Sequence, residues 1–175
     1  MQLTLDGKKI EAACGETLLT LIRRAGFYES DLEKMPLAAM IGGEVFHLNY
    51  DPVRLKDGEE EARSAVAAAN GQISLLRYKD KMGKRVYERT LLFVLILAVR
   101  RLFPGARVLV QYSLGQGLYI RLEKTPALSL SDTLLLKDEC LSILREDFQL
   151  TRERLNIRDA IAFFSKDGQR DKVRL

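Results

Sequence analysis

Histidine is nearly absent from this chain: His47 is the only one in 175 residues. That excludes a zinc site built on two imidazoles, and it leaves no credible Ser/His/Asp or Cys/His triad, since His47 falls in an expected β-hairpin. His47 is read as a structural or surface residue. Cysteine is scarce too. Cys14 and Cys140 lie far apart with no CxxC or Cys/His cluster, and are read as two reduced, partly buried thiols. No GxxxxGK[ST] phosphate loop occurs, so this stretch does not hold ATP as a P-loop kinase does. The longest apolar run, Leu91 to Val99, is nine residues, well short of the roughly 20 a membrane span needs. No leader-like segment is read ahead of the first patterned strand, and the expected location is the cytoplasm.

What is present is the composition of a globular protein, with 47% apolar residues and 30% charged, enough for a core in one or two domains. The net charge of +4 is uneven: residues 1–83 carry 11 basic and 13 acidic side chains, residues 84–175 carry 17 and 11. The first part is thus slightly acidic and the second basic. A basic second half suits an anionic partner such as RNA or a nucleotide, although its interspersed carboxylates also fit a solvated mixed-charge surface.

"LTLDGKKIEA" alternates around Asp6-Gly7, a pair at ease with the positive φ angles of a two-residue hairpin turn. In "GETLLTLIRRAG", Leu18, Leu21, Ile22 and Ala25 recur at helical spacing and Gly26 is a stop. "PLAAMIGGEVFHLNY" reads as a second hairpin about Gly42-Gly43, and "GQISLLRY" as a further strand. The order β-β-α-β-β plus one strand predicts a β-grasp domain. Residues 59–70, Ala-rich behind an acidic front, read as a helical insertion.

The polar stretch 79–85, with Gly83, reads as a boundary, dividing a domain at 1–80 from another at 81–175. A helix is expected from about Val86 to just before Pro104-Gly105, buried as scaffold. "ARVLVQY" and "LYIRLE" read as antiparallel strands about the turn "SLGQG". A long helix follows, capped by Ser129 or Ser131, with Leu134, Leu135, Cys140, Leu141 and Leu144 as its apolar stripe. Residues 148–155 read as a strand, "NIRDAIAFFSKDG" as a short helix capped by Asn156, and 169–175 as the start of another strand. The fold class expected is α+β, with antiparallel pairing in the second half. Asp138 with Glu139, and Glu146 with Asp147, are helix neighbours that point apart and so make poor paired acids.

"YSLGQGLY" is the main candidate for chemistry. Gly115 and Gly117 allow close backbone approach to a ligand, Ser113 and Gln116 offer hydrogen bonds, and Tyr112 and Tyr119 offer rings to a base. The same residues also read as a glycine hairpin with packing tyrosines.

The segments "IGGEVFHLNY", "LAVRRLFPGARV", "SLGQGLYIRL" and "RDAIAFFSKDGQRDKV" together resemble a TGS domain followed by the second additional domain of threonyl- and alanyl-tRNA synthetases, which edits mischarged tRNA. With "DKMGKRVYERTLLFVLILAVRRLFPGARVLVQYSLGQGLY", the likeness extends to the N-terminal region of a bacterial uridine-kinase-like family. The synthetase likeness implies a His-x-x-x-His metal pair on the helix over Val86–Phe103. Aligned on "RRLFPGA", those places hold Arg89 and Phe93, neither of which ligates zinc. Arg89 is then either a cation standing where a metal stood, able to hold a phosphate or carboxylate, or an ordinary solvated arginine.

The function these resemblances imply is a non-catalytic accessory or regulatory ligand-binding region of a nucleoside (uridine) kinase, acting on a kinase domain in cis. That kinase would use ATP and Mg; no cofactor is expected in this chain, and no membrane partner. The alternatives are an autonomous RNA- or tRNA-binding module and, against the Arg89 and Phe93 replacements, an aminoacyl-tRNA editing hydrolase.

Overall fold

The computed structural model describes residues 1–53, 66, 70–114, 117–148, 150, 153–166, 168 and 173. The chain divides into two compact units, Met1–Cys140 and Leu141–Leu175, and the fold class is α+β with a mixed sheet, as expected.

The first unit opens with β1 (Gln2–Leu5) and β2 (Lys8–Glu11), then helix α1 (Leu18–Ala25), β3 (Ala38–Ile41), β4 (Glu44–Phe46) and β5 (Gln72–Leu76). These strands form one sheet in the order β2-β1-β5-β3-β4, with β1 and β5 parallel and the other pairs antiparallel. This is the β-grasp arrangement. Both hairpins turn as their residues demand: Asp6 and Gly7 sit at φ 45° and 84°, Gly42 and Gly43 at 58° and 88°, the left-handed pairs that match strand twist.

Helix α1 buries Leu18, Leu21, Ile22 and Ala25 against Leu3 and Leu5 of β1, Ala39 and Ile41 of β3, and Ile73 and Leu75 of β5. Each fully buried leucine or isoleucine contributes roughly 1.5–3 kcal/mol. Both helix ends are satisfied. The Leu18 and Leu19 amides donate to the Tyr50 and Leu48 carbonyls at 2.8 and 2.7 Å, and Thr20 N–H donates to Thr17 Oγ1 at 3.3 Å. At the far end Gly26 takes φ 80° and Lys8 Nζ donates to the Ala25 carbonyl at 2.8 Å, so a cation meets the helix's negative end.

Asp6 links this hairpin to everything that follows. Its Oδ1 accepts the Leu75 amide at 2.8 Å and its Oδ2 accepts Arg77 Nη1 at 2.8 Å. Arg77 in turn donates from Nε to the Lys34 carbonyl at 3.1 Å, and its amide donates to Asp80 Oδ2 at 2.7 Å. Asp80 is the N-cap of helix α2, Lys81–Leu102. Sheet, loop and helix start therefore share one guanidinium and two carboxylates.

Helix α2 begins at Lys81, not at the expected Val86: Asp80 is still extended, and its carbonyl accepts the Lys84 amide at 2.8 Å, the first bond of the helix. Residues 81–85 of the polar stretch read as a boundary belong to its opening turns. Gly83 is buried there. A Cβ built on it lies 2.0 Å from the Arg77 carbonyl oxygen, so its absent side chain is what lets helix and strand end meet. Tyr87 packs edge to face on Tyr78, ring centroids 5.2 Å apart.

The expectation of a buried scaffold helix is corrected. Only Gly83, Ala98 and Val99 of α2 are buried, and Phe93 is 60% exposed. An apolar run that goes all the way round a helix needs cover on every side, and among the described residues α2 is covered chiefly at its two ends.

After α2 come β6 (Arg107–Leu114) and β7 (Gly117–Glu123), an antiparallel two-stranded sheet, and helix α3 (Leu130–Glu146). Ser129 caps α3: Asp132 N–H donates to Ser129 Oγ at 3.1 Å, and Ser129 N–H donates back to Asp132 Oδ2 at 2.9 Å, a reciprocal capping box. Lys124 Nζ joins Asp132 Oδ2 at 3.0 Å and stands 4.9 Å from the Phe103 ring centroid. Arg101 Nη1 meets Glu139 Oε1 at 3.0 Å, tying α2 to α3, so Glu139 is an ion-pair partner and not a merely solvated acid.

The apolar stripe read for α3 is corrected too. Leu134, Leu135, Leu141 and Leu144 are exposed, while Leu136, Cys140 and Ile143 lie on the covered side. The helix carries leucine on more than one face, and its spacing alone does not say which face is covered. In the second unit, helix α4 (Ile157–Lys166) is capped by Asn156 as expected, Asp159 N–H donating to Asn156 Oδ1 at 2.9 Å. The strand read at 148–155 is absent from its described residues, which follow no ladder. The readings at 59–70 and 169–175 lie outside the described residues apart from Val66, Asn70 and Val173. Among the described residues, no helix is long and apolar enough to cross a membrane.

Two stability measurements follow from the Asp6 and Gly83 contacts. Asp6→Asn keeps an acceptor for the Leu75 amide and tolerates positive φ, so its cost stays under about 1 kcal/mol. Asp6→Ala removes acceptor, ion pair and turn compatibility together and costs about 2–3 kcal/mol. Urea denaturation followed by circular dichroism reads both, and an Ala variant as stable as the parent contradicts the role given to Asp6. Gly83→Ala forces backbone movement at Arg77 and lowers stability by about 1–3 kcal/mol; an unchanged thermal midpoint contradicts that contact.

Candidate nucleic-acid interface

The β6–β7 ribbon gathers most of the candidate residues. In a ladder, paired residues share a face and neighbours alternate. The pairs are Arg107 with Glu123, Leu109 with Arg121 and Val110 with Ile120, and then, past an irregularity between Val110 and Tyr112, Tyr112 with Tyr119 and Ser113 with Leu118. Gln111 is the extra residue of that bulge. Strict alternation would put Tyr112 with Val108 and Val110. The bulge turns it to the other side, alongside Tyr119.

One face therefore carries Tyr112, Tyr119, Arg121, Glu123, Leu109 and Arg107. The other carries Val108, Val110, Leu118, Ile120 and Leu122, with Ser113. The two tyrosine rings stack on each other, centroids 5.0 Å apart and planes 15° from parallel. Both are open to solvent, Tyr112 at 56% and Tyr119 at 43% exposure. Arg121 follows Tyr119 by two residues on the same face and pairs with Glu123 at 3.3 Å, its side chain 57% exposed. A cavity of about 740 Å³ opens at the foot of the ribbon, lined by Phe103, Arg121, Glu123, Lys124 and Leu128 among others.

The sequence candidates separate accordingly. Tyr112, Tyr119 and Gly117 come together near the ribbon tip. Ser113 sits on the opposite face. Gly115 and Gln116 lie outside the described residues. Arg89 is exposed on α2 four residues before Phe93, and it makes no hydrogen bond or ion pair among the described residues. Arg121 and Lys124 were not singled out from sequence; a two-residue offset from Tyr119 along a strand was the signal that would have found Arg121.

The ionic chemistry at the foot of the ribbon is settled by hydrogen bonding. The Ser129 amide, then the Lys124 ammonium and the Ser129 hydroxyl, hold the Asp132 carboxyl below its ordinary range. Its contribution to the α3 cap is present above the normal carboxylate range and is lost as pH falls through the lowered value.

The site does not fit the metal that a synthetase editing domain implies. The two helix places hold Arg89 and Phe93, a permanent cation and a ring without a lone pair. Among the described residues, no group of three or more His, Cys, Asp or Glu is arranged to hold an ion. Cys14 is exposed and Cys140 partly covered, and both are free thiols. Burial, then the neighbouring Glu139 charge, raises the Cys140 thiol above its ordinary value, which makes it a weak nucleophile.

No family profile matches the chain. It is similar to curated proteins named threonine–tRNA ligase. One from Desulforamulus reducens is 26% identical over 170 residues, 97% of this chain and 24% of that protein. Another from Acetivibrio thermocellus is 27% identical over 157 residues, 90% of this chain and 22% of that protein. A third from Clostridioides difficile is 24% identical over 160 residues, 91% and 23% respectively. The chain thus spans about a quarter of the length of these relatives. The synthetase resemblance is supported by them; the extension to a uridine-kinase-like parent finds no support among them.

Thiol labelling separates the two cysteines. Cys14 is expected to react several-fold faster than Cys140 with a maleimide at neutral pH, read by peptide mapping; equal rates contradict the covered, protonated state of Cys140.

Proposed function

We propose that this chain is an RNA-binding accessory module of the kind found in threonine–tRNA ligases, with tRNA as its partner. The observation that carries the reading is the similarity to those ligases along 90–97% of the chain. On this reading residues 1–80 are a TGS-like β-grasp module and 81–175 a degenerate editing-type module, working in the cytoplasm. The exposed Tyr/Arg face of the β6–β7 ribbon and the excess of basic residues in 84–175 are what such a module would present to RNA. The positions that would hold an editing metal carry Arg89 and Phe93, so the module binds and does not hydrolyse. A regulatory role toward a nucleoside kinase in cis has no observation behind it beyond the sequence resemblance.

Binding of this kind depends steeply on salt, because each phosphate contacted releases counterions. Each contact contributes about −0.7 to −0.9 to the slope of log K against log salt. A footprint of about three cations gives a slope near −2 to −3. Titration of labelled tRNA at two salt concentrations reads it. Absence of binding at low salt overturns the proposal, as does a slope near zero.

A further inference from the structure

We infer that the Tyr112–Tyr119 pair is a stacking platform for an unpaired nucleobase, with Arg121 receiving the adjoining phosphate, so that the ribbon selects single-stranded RNA over duplex. The inference rests on the RNA-binding reading and says which form of RNA the ribbon takes.

Three observations carry it. The rings already lie nearly parallel, at 5.0 Å and 15°, so an incoming base extends an existing stack and needs no ring to reorient. A stack of this kind is independent of base identity, since every base has a π-face. Both rings are about half exposed, whereas tyrosines that serve packing are covered. The bulge at Gln111 is what brings Tyr112 to this face, and bulges recur where a strand has to re-aim one side chain.

Arg121 supplies the polar half. Residues two apart on a strand are separated by roughly 6.6 Å, so its guanidinium stands one step along the ribbon from Tyr119. That is within reach of a phosphate attached to the nucleotide whose base is stacked. Arg121 also lines the cavity at the ribbon's foot, which leaves room for the backbone to continue past Lys124. Bases inside a duplex are stacked on their neighbours and shut away from such a platform. A duplex would meet the ribbon only through its phosphates.

The test uses the full chain and two RNA probes of one sequence, a single-stranded decamer and the blunt duplex formed with its complement. The chain has six tyrosines and no tryptophan, so quenching of tyrosine emission reports stacking directly, and anisotropy of labelled RNA gives affinity. The single strand is expected to bind more tightly than the duplex and to quench emission. Tyr119→Leu should weaken single-strand binding about 5- to 160-fold, the span produced by losing one base–aromatic stack, and abolish part of the quench. Tyr119→Phe should retain both. Arg121→Gln should reduce the salt slope by about one contact while leaving the quench in place. Thermal melts confirm that the variants are folded. Equal binding of both probes, with Tyr119→Leu unaffected, overturns the stacking inference and leaves RNA binding standing. Failure of both probes and of tRNA to bind at low salt overturns the RNA reading itself.

Discussion

The Asp6 carboxylate is the constraint on which the five-stranded sheet and the start of α2 depend. A turn residue at φ 45° reaches across the parallel β1–β5 pair and takes the Leu75 amide on one oxygen and the Arg77 guanidinium on the other. The parallel contact is short, only Thr4 with Gln72 and Leu5 with Ile73, so a side-chain acceptor prolongs a ladder that would otherwise end. Arg77 spreads the effect further. It holds the Lys34 carbonyl on one side and, through its own amide, the Asp80 carboxylate on the other. Since Asp80 begins α2, the direction of that helix is set at the same place where the sheet is closed. Its partners are largely shielded, with 20% and 23% side-chain exposure for Arg77 and Asp6, so solvent screens the pair less than it would a surface ion pair.

The α2–α3 region holds together by a different means. Its described residues bury few large side chains, and it relies on polar clamps. Lys124 is shared between Asp132 and the face of Phe103, Asp132 and Ser129 cap one another, and Arg101 reaches Glu139. Such contacts fix where α2, the ribbon and α3 leave one another without covering the ribbon. The ribbon is left projecting with polar and aromatic groups on one face. On the proposed RNA-binding reading this arrangement suits a flexible anionic polymer, because the tyrosines and arginines are held by a ladder while their outer surface stays open.

Much of the fold was legible in the residue order. Asp6-Gly7 and Gly42-Gly43 marked both hairpins, the Leu18–Ala25 spacing marked α1, and Ser129 and Asn156 marked two helix starts, because each depends on local backbone geometry alone. The readings that failed depended on what lies opposite. Gly83 read as part of a polar boundary, but its lack of a side chain serves a contact with Arg77. The run Leu91–Val99 looked like core, but hydrophobicity states what a surface would gain from cover and not whether cover is there. The leucines of α3 were assigned to a covered face for the same reason. Of the candidate site, Tyr112 and Tyr119 were legible as rings flanking a glycine turn, whereas Arg121 was not.

By itself the sequence determined the β-grasp order of elements, the class of fold, and the turns and caps, since all of these follow from side-chain chemistry and neighbours within a few positions. Only the tertiary structure decided which face of the ribbon carries the tyrosines. A single extra residue at Gln111 reverses the side on which Tyr112 falls, and whether a strand accommodates one is settled by the strand paired with it, not by its own alternation.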